Sequence, residues 1–393
     1  MTSLGERLGQ QDPEPGRRYA NRSILGSILG LIRSVLLSDN FVLYLSIGYF
    51  IVLSLFFPSL AEPRNLSNQL SNVWPLLAVA IGQTFVLTIA DIDLSQGSIM
   101  AITSVVGGII MTSALDPLLF DKSPLWGTLL SENGGVLAGH DLAMPVAVGA
   151  MLLVGVLVGL LNGIAVTKFN MPSFMVTLVA MIFFSAFAIY LTQSQNISNL
   201  PDDFIRLGEG DMVSVYFGEK LEPEIKRRDI LPLITYPMII SVGLAAASHF
   251  VLERTTFGRY VYAIGTNRKA ARISGVPTQR IIILVFMFSG FCAGVASILF
   301  SARLQGGRPT VGGGNLLLDI IGATVIGGTS LAGGKGKVTW TFFGVVFFVL
   351  LLNTLNAMRL STFHIDVVKG IIILIAALLD VTRARLMARE QRS

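Results

Sequence analysis

Ten runs of apolar residues, each closed by a polar break, set the pattern of the chain: Phe41 to Phe57, Val73 to Ala90, Ser98 to Leu115, Ala143 to Thr167, Phe174 to Thr192, Leu231 to Leu252, Ile281 to Ser301, Leu316 to Leu331, Val338 to Met358 and Ile365 to Val381. A bilayer crossing needs about 20 such residues, so the pattern predicts an all-α polytopic membrane protein with about ten transmembrane helices. The run from Leu316 is short and holds Gly322, Gly327 and Gly328. It is expected to be broken or buried between other helices, because irregular backbone at membrane depth persists only where protein or a water-lined cavity satisfies it. Gly155, Gly159 and Gly163, and again Gly290 and Gly294, recur every fourth position. Such faces let helices approach closely where lipid supplies no hydrophobic drive.

Composition sharpens this. Of 393 residues, 52% are hydrophobic and 13% charged, against about 25% charged in an ordinary soluble domain, which excludes a soluble enzyme and a disordered chain. The net charge of +5 reads as an orientation signal rather than a nucleic-acid footprint. With both termini on one side, 18 of the 29 Lys and Arg residues fall there and 11 on the other, five of those 11 in a loop that also carries eight acids from Asp202 to Asp229. Both termini are therefore expected in the cytoplasm. The expected organisation is a basic N-terminal segment 1–40, with Ile24 to Leu37 as a surface helix or a loose tail, a permease domain 41–382, and a basic tail 383–393. Within the domain lie outer loops at 116–142 and 193–230 and a cytoplasmic loop at 253–280. No cleavable signal peptide is expected within residues 1–40, which hold Arg17, Arg18, Arg22 and Arg33 but no uninterrupted apolar core.

The chemistry is sparse. Cys292 is the one cysteine, and His140, His249 and His364 stand apart, so neither a disulfide nor a metal site is expected. No nucleophile with a base and no zinc-type motif is readable, so no catalytic residue is expected. Three breaks remain. At Ala90 to Gly97 two carboxylates follow an apolar helix; Asp93 is expected as the cap of a helix beginning near Ser95 with Gln96 reaching back, or as part of a path through the membrane. At Asn267, Arg268, Lys269, Ala270, Ala271, Arg272, Ile273, Ser274 and Gly275, Thr266 or Asn267 caps a short helix that Gly275 and Pro277 end. Arg268, Lys269 and Arg272 give it a basic side. It reads as a solvated connector or as a helix that docks into a cytoplasmic partner. At Asp319 to Lys337 the glycines tempt toward a phosphate loop, but neither Lys335 nor Lys337 is followed by Ser or Thr, so the chain is not expected to bind ATP.

These stretches resemble the membrane permease subunits of sugar-type ABC importers, the branch with ribose and xylose permeases. The similarity lies in Ile92 to Ser95 with Gly97, in Gly258 through Gly275, in Leu318, Asp319, Ala323 and Ile326 through Leu331 with Gly333, Gly334 and Gly336, and in Val368-Lys369-Gly370. It spans most of residues 40 to 382; Asp91, Gln96, Leu317 and Ile321 depart from the pattern. The resemblance implies a small hydroxylated cargo, a second permease copy, a cytoplasmic ABC ATPase that holds ATP and Mg and pushes on Asn267 to Gly275, and a periplasmic or extracellular solute-binding protein. It implies a bacterial cytoplasmic (inner) membrane, lipid as the surrounding partner, and no cofactor in this chain. Path candidates are Gln83, Asn353 and Asn356, each weighed between interhelical hydrogen bonding and cargo contact, and Asp91, Asp93 and Ser95 in the break, weighed between capping alone and an added role lining the path. The rival reading is an ion-coupled secondary transporter or channel.

Overall fold

Where the apolar runs end decides the helices, and the computed structural model shows fourteen α-helices among its described residues, Ser38, 40–216 and 230–390. The expected surface helix Ile24 to Leu37, the charged stretch 217–229 and the last tail residues 391–393 lie outside the described residues. In chain order the elements are α1 (Phe41–Phe56), a 3-10 turn (Pro58–Ala61), α2 (Pro63–Thr88), α3 (Gln96–Met111), α4 (Pro117–Phe120), α5 (Ala143–Lys168), α6 (Ser173–Thr192) and α7 (Asp202–Glu209). Then come an antiparallel pair, β1 (Asp211–Tyr216) and β2 (Ile230–Thr235), α8 (Tyr236–Arg254), α9 (Thr256–Thr266), α10 (Arg268–Ile273), α11 (Thr278–Arg303), α12 (Leu316–Ile326), α13 (Val338–Ala357) and α14 (Thr362–Glu390).

Among the described residues six helices, α2, α5, α6, α8, α11 and α13, are long and apolar enough to cross a bilayer; α1, α3 and α12 are apolar but shorter. Two expected boundaries are corrected. The run from Leu231 is not one helix: Leu231 to Thr235 pair with β1, and α8 starts only where the Thr235 hydroxyl accepts from Met238 N at 3.3 Å with Pro237 in the first turn. Conversely, α2 begins ten residues before Val73, at Pro63, because proline at the first helical position needs no hydrogen-bond partner and the polar residues up to Asn72 carry the helix on.

From Val42 onward the chain is one compact unit, centred on α11, which packs against α2, α3, α5 and α7. Glycine makes the tightest seam possible. A Cβ on Gly290 would collide with the Gly155 carbonyl oxygen and one on Gly159 with the Phe286 carbonyl oxygen, so α5 and α11 meet backbone to backbone. The outer faces are apolar: Leu153, Leu157 and Leu161 on α5, and Ile182, Phe183 and Tyr190 on α6, are exposed. A water-soluble fold reverses that arrangement.

The stretch after α11 turns back into the bundle. Gly307 exchanges two backbone hydrogen bonds of 2.8 Å with Ile197, Arg308 N donates to Ser104 Oγ at 2.9 Å, and Gly312 lies against Gly97. The chain then enters α12, which packs on α2, α13 and α14 and stops at Ile326, before Gly328 takes the left-handed φ of +109°. The expected short, internally packed segment is thus present, with its helix five residues shorter than the apolar run.

Candidate functional site

The break between α2 and α3 is a polar knot buried in the bundle. α2 ends with Ala90 at φ +62° and with Asp91 N donating back to Val86 O at 3.1 Å, a left-handed helix end that normally takes glycine. Asp93 Oδ1 accepts from Ser95 N at 2.9 Å and Ser95 Oγ at 2.6 Å, and Oδ2 accepts from Ser289 Oγ at 2.7 Å. Behind these hydroxyls stand two amides: Asn162 Nδ2 donates to Ser95 Oγ and Gln96 Nε2 to Ser289 Oγ, both at 2.9 Å. Two relays, amide to hydroxyl to carboxylate, therefore converge on one buried acid and join α5, α11 and the break. The expected capping box is not formed. Ser95 is the N-cap of α3 without a side-chain cap bond, and Gln96 reaches across to α11 and to Val79 O instead, because Ser289 offers its amide a partner inside the bundle.

Asp91 faces the other way. Its Oδ2 accepts from Arg268 Nη2 at 2.5 Å, which ties the break to the start of α10. The glycine-rich segment closes the same junction: Gly334 N donates to Thr88 O at 2.9 Å and the Tyr262 hydroxyl to Gly336 O at 2.6 Å. Burial, with the Glu253 charge second, pushes the Tyr262 phenol up to about 12. A Cβ on Gly265 would collide with the Thr88 carbonyl oxygen and crowd Gly334 N. Parts of the three sequence stretches, Thr88 to Asp91, Tyr262 to Arg268 and Gly333 to Gly336, thus meet at one end of the bundle. Gly265→Ala is expected to lower stability by about 1–3 kcal/mol through overpacking at this junction; a thermal midpoint equal to that of the unaltered chain would show that the backbones can part.

α10 has the expected form. The Asn267 side chain accepts from Ala270 N at 2.9 Å, and Gly275 at φ +85° ends the turn. Ala271 is its one buried residue, while Arg268, Lys269, Ala270, Arg272, Ser274 and Gly275 are exposed and Ile273 is 80% exposed.

The remaining path candidates are not brought together. Gln83 is fully buried on α2, and neither atom of its amide has a hydrogen-bond partner among the described residues. Asn353 lies at the opposite end, donating to Asn65 Oδ1 at 3.3 Å, and Asn356 is exposed at the end of α13. Eighteen residues of α2 separate Gln83 from Asn65, about 27 Å along the axis.

Several residues escaped sequence reasoning. Ser289 and Asn162 lie inside apolar runs and gave no local signal. Lys369, a lone charge within the apolar run Ile365 to Val381, sits within α14, its Nζ 2.9 Å from Asp319 Oδ1 and 3.8 Å from Asp366 Oδ1. Asp93 is held beside the middle of α11. Ser289, bonded to Asp93, lies 11 residues from the start of α11 and 14 from its end, about 16 and 21 Å along the axis. Cys292 is buried, and no group of three or more His, Cys, Asp or Glu that could hold a metal is found among the described residues.

A family model described as branched-chain amino acid transport system / permease component matches residues 65–377. A ribose import permease protein of Bacillus subtilis (strain 168) is 32% identical over 332 residues, 84% of this chain and 88% of the relative. A xylose transport system permease protein of Haemophilus influenzae is 29% identical over 366 residues, 82% of this chain and 90% of the relative. An L-arabinose ABC transporter permease protein of Azospirillum brasilense is 28% identical over 368 residues, 94% and 93%. No solved structure matches the chain.

Proposed function

This chain belongs to the branched-chain amino acid transport system / permease component family, a multi-pass membrane transport subunit rather than an enzyme, and we propose that it forms half of the translocation path of an ATP-driven importer. The proposed cargo is a small hydroxylated solute, a monosaccharide or sugar alcohol; it follows from the ribose, xylose and arabinose in the names of the relatives. The remaining arrangement is ten crossings in a bacterial cytoplasmic membrane, both termini inside, a second permease copy, and a solute-binding protein at the far end.

One observation carries the mechanism: the exposed helix α10 is tied by the Arg268 to Asp91 ion pair to the same short break that holds the buried Asp93 knot. A partner ATPase that grips Asn267 to Gly275 and moves when it binds ATP with Mg would pull directly on the break. The knot then shifts between α5 and α11, which opens or closes the path on one side. Such a machine needs no tight cargo site in the permease, because ligands shift an equilibrium only by differential affinity for its states. Asp93 and Ser95 would border the path at this knot, with Asp91 transmitting the pull. Gln83, with its amide unpartnered, is the further polar group proposed to meet the cargo.

The test is Arg272→Glu, which inverts the charge of the exposed side of α10. Membrane insertion is expected to persist while permease-stimulated ATP hydrolysis falls about tenfold, the equivalent of about 1.4 kcal/mol of docking energy. Undiminished stimulation would remove α10 from the docking surface. The rival, an ion-coupled secondary transporter, draws on the buried Asp93, Asp319 and Lys369, since ionisable groups inside a membrane often carry coupling ions. Against it, Asp319 and Lys369 neutralise each other, and all three bonds at Asp93 are donated to it from neutral groups.

A further inference from the structure

We propose that the turn Gly313–Asn315 and the first turn of α12 line the water-filled path, forming a neutral hydrogen-bonding surface for the solute about halfway through the membrane. The proposal rests on the reading of the long helices as bilayer crossings. Its basis is the depth of an irregular, exposed stretch of backbone.

Gly312 is packed against Gly97, near the start of α3. From Gly97 to the far end of α3 at Met111 is 14 residues, about 21 Å of helix. In the other direction α12 runs 11 residues, Leu316–Ile326, about 16 Å, toward the end of the bundle where Gly334 meets Thr88. The turn therefore sits well inside a hydrocarbon layer of about 30 Å. At that depth Gly313, Gly314 and Asn315 are exposed, with Gly314 at φ +64°. Asn315 makes no side-chain cap to α12, so the first amides of that helix lack the partner a cap would supply. Leu318, on the next part of the same helix, is 48% exposed.

Lipid cannot meet such a surface, because each unsatisfied backbone group in hydrocarbon costs several kcal/mol and irregular backbone there occurs only against protein or water. The contrast is α6, where Val179, Ile182, Phe183 and Phe187 present an apolar and fully helical face suited to lipid. What the turn offers instead is backbone amides, backbone carbonyls and the Asn315 amide, uncharged groups that exchange readily between water and the hydroxyls of a neutral solute. Glycines at 313 and 314 leave that backbone open to close approach.

The experiment is cysteine accessibility in the full-length chain assembled with its ATPase in membrane vesicles, using the membrane-impermeant anion methanethiosulfonate ethylsulfonate, which reacts with thiolates in water. The unaltered chain is the blank, since Cys292 is its one cysteine and is fully buried. Asn315→Cys or Leu318→Cys is expected to react at least about tenfold faster than Ile182→Cys on the lipid-facing side. Both reacting no faster than Ile182→Cys would overturn the proposal, whether lipid or a second copy covers the turn. ATP hydrolysis in the same vesicles shows that each variant is assembled, and ATP-dependent uptake by the unaltered chain reports separately on the transport reading.

Discussion

Lys369→Met is expected to destabilise the folded chain by about 3–5 kcal/mol, the cost of stranding one member of a buried ion pair. Asp319 and Lys369 are only 11% and 10% exposed, and their closest atoms are 2.9 Å apart. Methionine keeps the length of the side chain and removes the charge, so Asp319 loses the cation that neutralises it between α12 and α14. The partly exposed Asp366, 3.8 Å from the lysine, then adds repulsion instead of relief. The companion double variant, Asp319→Leu with Lys369→Met, is expected to recover most of the loss, since an apolar pair of similar volume replaces a buried ion pair with little penalty. Thermal unfolding of the purified full chain in detergent reads both. A single variant that melts with the unaltered chain, or a double variant worse than the sum of its parts, would show that the pair is not a unit.

Asp93→Ala is expected to cost about 3 kcal/mol and to abolish uptake. The acid is the common end of two relays, so its removal leaves Ser95 N and the Ser95 and Ser289 hydroxyls without their acceptor, at about 1–3 kcal/mol for each buried group that stays unpaired. Hydroxyl rotation recovers part of that sum. Asp93→Asn keeps one acceptor oxygen for Ser95 but turns an amide donor toward Ser289, and is expected to fall between the two. Unfolding midpoints give the stability order, and uptake by intact cells gives the functional one. A fully active, fully stable Asp93→Ala chain would reduce the knot to passive packing.

What the sequence makes legible here is local. Asn267, Gly275 and Pro277 encode the start and end of α10 within eleven residues, and the structure follows them closely. Small residues every fourth position announced two close-packing faces, because close approach imprints itself on spacing, and the structure seats those faces of α5 and α11 on each other. Glycines within the run from Leu316 signalled that it would not cross as an ordinary helix. The Asp93 knot was hidden for the opposite reason: Ser289 lies 196 positions from Asp93, and Asn162 67 from Ser95. A lone serine or asparagine in an apolar run has no local partner to reveal its purpose. The same distance effect concealed the partner of Lys369, 50 positions away at Asp319, until α12 is laid beside α14. The β1 and β2 hairpin was missed because Leu231, Leu233 and Ile234 continue the apolar character of α8, and only the Thr235 and Pro237 start signal separates them.

Two of the expected path residues, Asn353 and Asn356, lie at the far end of α13 from the knot. Their positions fit the opposite rim of the bundle better than a shared site with Asp93. Gln83 keeps its place as an interior group. The junction of Thr88, Asp91, Arg268 and Gly334 therefore stands out as the point where movement of α10 would reach the interior.

The most direct test of the transport account is accumulation of ribose, xylose and arabinose, each radiolabelled and presented with the cognate solute-binding protein, in sealed vesicles holding either this chain alone or this chain with its ATPase. Accumulation of at least one sugar only when the ATPase and ATP are both present is the predicted result. Accumulation by the chain alone under a proton or sodium gradient would contradict it.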